Sequence, residues 1–439
     1  MESIPQAARE RIERIASAEL MVGVLADHGG AVSAMVRQAL EKLPQVPRTV
    51  IIQGNGVVGA DGVDSNGAAN AASGPDSTDG GNATDAAPSD GPSEDQAVFV
   101  IPWTLLEADR SIAPVDNMAN AYQSVLAAGD KLGVRAVCVL GSDLQTVTSQ
   151  WISRLVQPVL QLGFDLATPC YAHGRFEGLL NNCLISPLTR ALYGTRIQNP
   201  MGPDLSISRR LFQRIIGPEQ AAKIAANRTH ALASIASTAV CSSFKICQAH
   251  VGVRIYPPID WTNLSSLLVQ VLGPVFLDLE RNAACWQRPR ESVSPPSFGE
   301  RIALSEDQGS VDVGRMLELF RLGARDLLEV WRLVLPPAAL FELRKLSSLP
   351  QEQFRVPDEL WARVVYDFAL GHRLRTINRD HLLRAMTPLY LGWVTSYALE
   401  MQNATVRAAE QRLERLCQAF ETTKPYLVSR WRWPDRFNP

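Results

Sequence analysis

Apolar and polar residues recur along this chain with two different periods, and the switching between them lays out the elements. Residues 20–25, 49–52, 97–101 and 136–140 are short apolar runs rich in β-branched side chains, the pattern of buried strands. Residues 30–43 and 116–132 carry apolar positions at helical spacing. Strand, helix and strand in this order predict a parallel α/β sheet. Residues 4–17 mix Arg and Glu with apolar positions at helical spacing, which predicts a short leading helix. Further strands are expected at 165–168 and 244–255, then a helix over 264–280. Pro, Ser and Arg crowd residues 287–300 and mark a boundary. Beyond it, residues 311–334, 357–370, 379–403 and 406–424 are amphipathic and helical. The expected organisation is a leading helix (1–18), an α/β domain (19–285), a linker (286–300) and a C-terminal helical domain (301–430).

One stretch fits neither period. Residues 54–96 are mostly Gly, Ala, Asn, Ser, Asp and Pro with no aromatic side chain, and no Lys or Arg occurs between Thr49 and Asp109. Such a segment buries too little apolar surface to offset its ordering entropy, so it is expected to be a disordered acidic insertion.

The remaining composition narrows the function. With 46% hydrophobic and 20% charged residues, the 439-residue chain reads as an ordinary globular protein with ample core. A net charge of −2 offers no global field for nucleic acid or an anionic membrane. No run approaches the ~20 apolar residues of a transmembrane helix. The N-terminal residues lack the apolar core of a secretory signal. Cysteines at 138, 170, 183, 241, 247, 285 and 417 show no CxxC spacing and mostly apolar surroundings, which predicts mainly buried thiols and a cytoplasmic location.

The candidate chemistry begins where the 136–140 strand ends. Ligands of open α/β sheets sit beyond the carboxyl ends of the strands, so Asp143 is placed to project into that crevice. A carboxylate there can hold a divalent cation against a diphosphate, or it can cap the helix that begins near Val147. Farther on, Asn181 and Asn182 offer amide groups suited to hydroxyls. Arg190, Tyr193, Arg196 and Asp204 form a polar run between two apolar elements. Arg190 can clamp a carboxylate or phosphate, or pair with a structural acid. Asp204 can serve catalysis or stabilise the turn beside Pro203.

Asp143-Leu144 followed by Thr148-Ser149-Gln150-Trp151-Ile152 resembles the DADL…TPEWI segment of GT-A glycosyltransferases related to mannosylglycerate synthase and glycosyltransferase family 2. Pro187-Leu188-Thr189-Arg190, Pro200-Met201-Gly202-Pro203-Asp204 and Phe354-Arg355-Val356-Pro357-Asp358 extend the resemblance in order. It implies a Rossmann-like nucleotide-diphospho-sugar domain with a C-terminal helical domain. It also implies a Mg or Mn ion on Asp143, a nucleotide-sugar donor and a small acidic acceptor such as a glycerate. Asp204 would be catalytic, with Asn181, Asn182, Arg190, Tyr193 and Arg196 binding donor or acceptor. The chain departs from the family where its metal chemistry lies. Gly141-Ser142-Asp143 replaces Asp-Ala-Asp, Tyr256 falls at the position of a histidine ligand, and Asn117 to Gln123 lacks the family's two cations. Two readings follow: a hexosyltransferase, or a catalytically impaired homologue that acts as a binding or regulatory module.

Overall fold

The computed structural model describes residues 4–25, 31–53, 98–103, 114–141, 147–217, 231–254, 256, 263–288, 291–302, 304 and 309–434. The expected insertion at 54–96 and Asp143 lie outside the described residues. Eight strands form one sheet: β1 (Leu20–Val24), β2 (Thr49–Gln53), β3 (Val98–Pro102), β4 (Ala136–Leu140), β5 (Leu166–Ala172), β6 (Leu205–Ser208), β7 (Ile246–Val253) and β8 (Ser297–Phe298). Their spatial order is β3-β2-β1-β4-β6-β5-β7-β8. β6 runs antiparallel to both its neighbours and every other pairing is parallel. This is the expected α/β class. All five residues of β1 and of β4 are buried, as a parallel sheet with both faces covered requires.

Apolar side chains divide around the sheet by the period-2 rule. Met21, Val137 and Val139 join one core with Tyr122, Val125 and Leu126 of the helix Pro114–Leu132. Leu20, Val22, Cys138 and Leu140 join the opposite core with Trp151, Ile152 and Leu155 of the helix Ser149–Gln161. Thr148 caps that helix, its side chain accepting from the Trp151 N–H at 3.2 Å.

A third core fuses the C-terminal helices to the α/β region. Leu184 and Leu188, then Leu268 and Phe276, lie in one apolar cluster with Phe320, Trp361 and Phe420. Trp361 crosses the junction and donates its indole N–H to the Cys183 carbonyl at 2.9 Å. The expected helix over 311–334 is divided into Val313–Asp326 and Leu328–Arg332, and that over 379–403 into Arg379–Ala385 and Thr387–Met401. The helix Pro337–Ser347 and the strands β6 and β8 were not anticipated. β8 arises within the stretch expected to be a linker, where the Pro296 carbonyl accepts from the Gln248 N–H at 2.9 Å.

Two cysteines depart from the expected pattern of buried thiols. Cys241 and Cys285 form a disulfide between the end of the helix Ala231–Cys241 and the short helix Ala283–Trp286. The other five are buried thiols. Spacing gave no hint of the pairing, because the two partners are brought together only by the packing of separate helices.

Candidate functional site

The carboxyl ends of the parallel strands carry a row of linked groups. The antiparallel register sets Val139 of β4 against Leu205 of β6, which brings the fully buried Asp204 to the carboxyl end of β4. There the Gly141 N–H donates to Asp204 Oδ1 at 2.9 Å, and the Tyr171 hydroxyl of β5 donates to Oδ2 at 2.6 Å. Burial, followed by the Asp204 charge, pushes the Tyr171 phenol far above its ordinary range, so it stays a donor at neutral pH. Tyr122 adds a hydroxyl donated to the Pro203 carbonyl. Asp204 thus ties three strands together at the crevice floor.

Arg254, just beyond β7, completes the row. Its N–H donates to the Ala172 carbonyl at 3.0 Å. Its guanidinium lies 5.0 Å from the Tyr171 ring centroid and 4.6 Å from that of Tyr256, within cation–π range of both. Sheet order makes Gly141, Asp204, Tyr171 and Arg254 neighbours across β4, β6, β5 and β7.

Beside this row opens a cleft of about 600 Å³ between the ends of β5 and β7 and the long helix Val406–Arg432. His173, Asn182, Arg196, His250, Arg301 and Arg407 are among its lining residues. Asn181 and Asn182 begin a π-helical turn, Asn181–Ile185, a geometry that recurs at functional sites. The Asn181 amide is directed at Asn182 Oδ1 and the Gln198 carbonyl, both at 2.9 Å. Asn182 Nδ2 lies 3.2 Å from His173 Nε2, while His173 Nδ1 lies 2.9 Å from the Gly174 carbonyl. That pair of contacts fits the neutral tautomer with the proton on Nδ1. His250 reaches the cleft through a bulge: β5 and β7 slip register after Cys170–His250, so that Tyr171 faces Gly252. Gly252 takes φ +135° there, a conformation open to glycine and rarely to other residues. Burial, then the charges of Arg301 and Arg154, holds the His250 pKa below its ordinary value.

Arg190 is buried at the cleft wall with its guanidinium engaged by two acids. Nη1 and Nη2 bond Glu414 at 2.6 and 2.8 Å, and Nε bonds Glu421 at 2.9 Å. Arg196 is exposed, donating from Nε to Ser292 Oγ at 2.9 Å, with Nη1 3.9 Å from Glu414 Oε1. Tyr193 lies away from the cleft and donates to the buried Asp278 at 3.0 Å. The structure therefore gathers Asn182, Arg190 and Arg196 around one cleft, with Asn181 behind it through its bond to Asn182 and Asp204 linked to it through Tyr171.

Sequence reading missed Arg254, Arg301 and Arg407 as members of the site. They come from a strand end, the loop after β8 and a distant helix, so no spacing links them. The one local signal was Arg254 two positions before the aromatic Tyr256.

Of the ligands implied for a divalent ion, Asp143 lies outside the described residues and Tyr256 within them. No group of three or more His, Cys, Asp or Glu could hold one among them. At Gly141, where the resemblance implies an acid, a Cβ would meet the Pro203 carbonyl oxygen at 2.7 Å, closer than real contacts allow. At the histidine position, burial raises the Tyr256 phenol above its ordinary pKa, leaving a neutral hydroxyl, a poor ligand for a hard cation.

No family model matches the sequence, and no curated protein matches it. Among solved structures the chain is similar to glucosyl-3-phosphoglycerate synthase from Mycobacterium tuberculosis. Against its complex with Mn²⁺, uridine diphosphate and glucosyl-3-phosphoglycerate, identity is 16% and the TM-score 0.32, covering 63% of this chain and 85% of that one. Against its complex with Mg²⁺ and uridine diphosphate the values are 15%, 0.33, 63% and 84%. Overlaps this loose assign neither a ligand nor a reaction to the present chain. Among the described residues no helix is long and apolar enough to cross a membrane.

Proposed function

We propose that this chain is a GT-A-type glycosyltransferase homologue that takes a nucleotide diphosphate sugar and a small acidic acceptor. The observation that carries the reading is the cleft at the carboxyl ends of β5 and β7, where open α/β sheets bind ligands. Its wall supplies what a phosphorylated or carboxylated polyol needs. Arg196, Arg301 and Arg407 offer cationic donors for the acid group. Asn182, His173 and Gln248 offer neutral donors and acceptors for hydroxyls. The ordered sequence blocks from Asp143 to Asp204 support the same reading. In it, Asp204 orients the crevice floor through Tyr171 and Gly141, and Arg190 holds the helix Val406–Arg432 against the cleft.

A second reading, a binding or regulatory module without turnover, is favoured by one specific observation. The packing of Gly141 against Pro203 leaves no room for the first acidic ligand.

Incubating the full chain with uridine- and guanosine-diphosphate hexoses together with glycerate or 3-phosphoglycerate separates these readings. Mass-spectrometric detection of a hexosylated acceptor supports the transferase. Saturable nucleotide-sugar binding without product supports the module. Absence of both binding and product contradicts the proposal.

A further inference from the structure

We infer that Glu410 is a built-in competitor for the acid this cleft binds: its carboxylate holds the Arg301 guanidinium, and an acidic ligand gains that guanidinium by exchange with it. This deepens the proposed function and rests on reading the cleft as the site of a small acidic ligand.

The helix Val406–Arg432 turns one face to the cleft. Arg407, Glu410, Gln411, Glu414 and Cys417 line it at the three- and four-residue spacing of a single helical face. The two acids on that face are held differently. Glu414 is fixed, because both its oxygens accept from the buried Arg190, at 2.6 and 2.8 Å. It has little left for Arg196, whose Nη1 stays 3.9 Å away, beyond hydrogen-bond distance. Glu410, one turn earlier, meets the Arg301 guanidinium at 2.5 Å, and the two side chains are 45% and 60% exposed. An ion pair so exposed is weak and screened by salt. Of the two acids, Glu410 is the one that yields.

The cation it holds starts from an anchored backbone. Arg301 lies two residues beyond Gly299, which follows β8 and takes φ +83°. A Cβ at Gly299 would stand 3.0 Å from the His250 carbonyl oxygen, the same oxygen that accepts from Arg154 Nη1 at 2.6 Å. This close approach, open to glycine, pins the start of the Arg301 loop against β7. Arg190 offers no comparable exchange, since Glu414 and Glu421 both engage its guanidinium. At Arg301, ligand oxygens and the Glu410 carboxylate compete for the same N–H donors. An acid bound there also lies beside a like charge, which repels it even through water.

Calorimetric titration of the full chain with 3-phosphoglycerate, in the unaltered protein and in Glu410→Gln, tests the inference. The expected result is saturable binding that Glu410→Gln tightens about 3–10-fold, as a weak surface pair ceases to compete and one repelling carboxylate is removed. Arg301→Gln should weaken binding about tenfold, the loss of one charge-assisted contact. In the Arg301→Gln background, Glu410→Gln should tighten binding at most about half as much as it does with Arg301 present, because the two residues act on one contact. Thermal melts of the variants verify folding. Binding that Glu410→Gln weakens or leaves unchanged overturns the inference and leaves the cleft standing as an acid site. An equal gain in the Arg301→Gln background overturns exchange on Arg301. No binding by either the unaltered protein or Glu410→Gln overturns both the inference and the reading it rests on.

Discussion

The Tyr171 hydroxyl donates to the fully buried Asp204 carboxylate at 2.6 Å, and the other carboxylate oxygen accepts the Gly141 N–H at 2.9 Å. Tyr171→Phe removes a donor from that carboxylate in a dry setting, so the expected loss is about 1–3 kcal/mol of stability. Gly141→Ala sets a Cβ 2.7 Å from the Pro203 oxygen and is expected to cost a similar ~1–3 kcal/mol by overpacking. Urea denaturation of both variants checks this. Wild-type stability in Gly141→Ala would show that the 203–204 turn yields freely.

Arg190 joins the helix Ser186–Tyr193 to Glu414 and Glu421 of the helix Val406–Arg432. Its side chain is 6% exposed against 42% and 24% for the two acids, so the pair is buried from one side only. Arg190→Met should lower stability by about 2–4 kcal/mol, somewhat less than the roughly 3–5 typical of a fully buried pair. Arg190→Lys should rescue little of it, since lysine cannot span both acids with a fixed fork. Thermal melts of the two variants read the difference. Equal melting temperatures for the Arg190→Lys variant and the unaltered protein would mean that the fork geometry is immaterial.

The parallel half of the sheet was legible because β1, β2 and β4 are continuous apolar runs and the helices between them keep a clear 3.6 period. β6 was not, because Leu205–Ser208 is four residues with two serines, both on a strand whose burial comes from its neighbours. β8 is two residues and exists only through pairing with β7. The polar run from Asn181 to Asp204 was recognisable as chemistry-bearing, yet its division of labour was not. Arg190 meets its acids more than 200 positions away, and Arg301 and Arg407 reach the cleft only through tertiary packing. Asp143, the clearest carboxylate in the sequence, lies outside the described residues.

The Cys241–Cys285 bond closes a loop with a sequence separation of 44. Loop-closure entropy for that length gives a stabilisation of roughly 4 kcal/mol, an upper value where the unfolded chain keeps structure. Thiol titration of the unfolded, unreduced chain should find five free thiols among the seven cysteines. Dithiothreitol should lower the melting temperature of the unaltered protein and leave that of a Cys241→Ser, Cys285→Ser double variant unchanged. Seven free thiols in protein purified without reductant would contradict the pairing.

Asp278 is buried and accepts hydrogen bonds from Tyr193 and Asn282, both at 3.0 Å. Burial outweighs those bonds and raises its pKa from 3.8 to about 6. The folded pKa lies above the unfolded one, so between pH 4 and 6 the folded state holds more protons. Stability from this group is therefore greatest below pH 4, falls as pH rises through 6, and levels off above. The stability of the unaltered protein relative to Asp278→Asn should drop by roughly 2 kcal/mol between pH 4 and pH 7. Chemical denaturation at four pH values measures it. A relative stability that rises with pH would show that the carboxylate is stabilised by folding.

The most direct test of the proposed function is calorimetric titration of the full chain with 3-phosphoglycerate and with glycerate. Arg196 and Arg301 line the cleft from different loops, both exposed and each beside a cleft glutamate, Glu414 at 3.9 Å and Glu410 at 2.5 Å, which an incoming acid would displace. The expected result is one saturable site for at least one of these acids. An Arg196→Gln, Arg301→Gln double variant should weaken binding at least tenfold, as the loss of charge-assisted contacts of about 1.5–3 kcal/mol each requires. Neither acid binding, or binding that the double variant leaves unchanged, would contradict the assignment of this cleft to a small acidic acceptor.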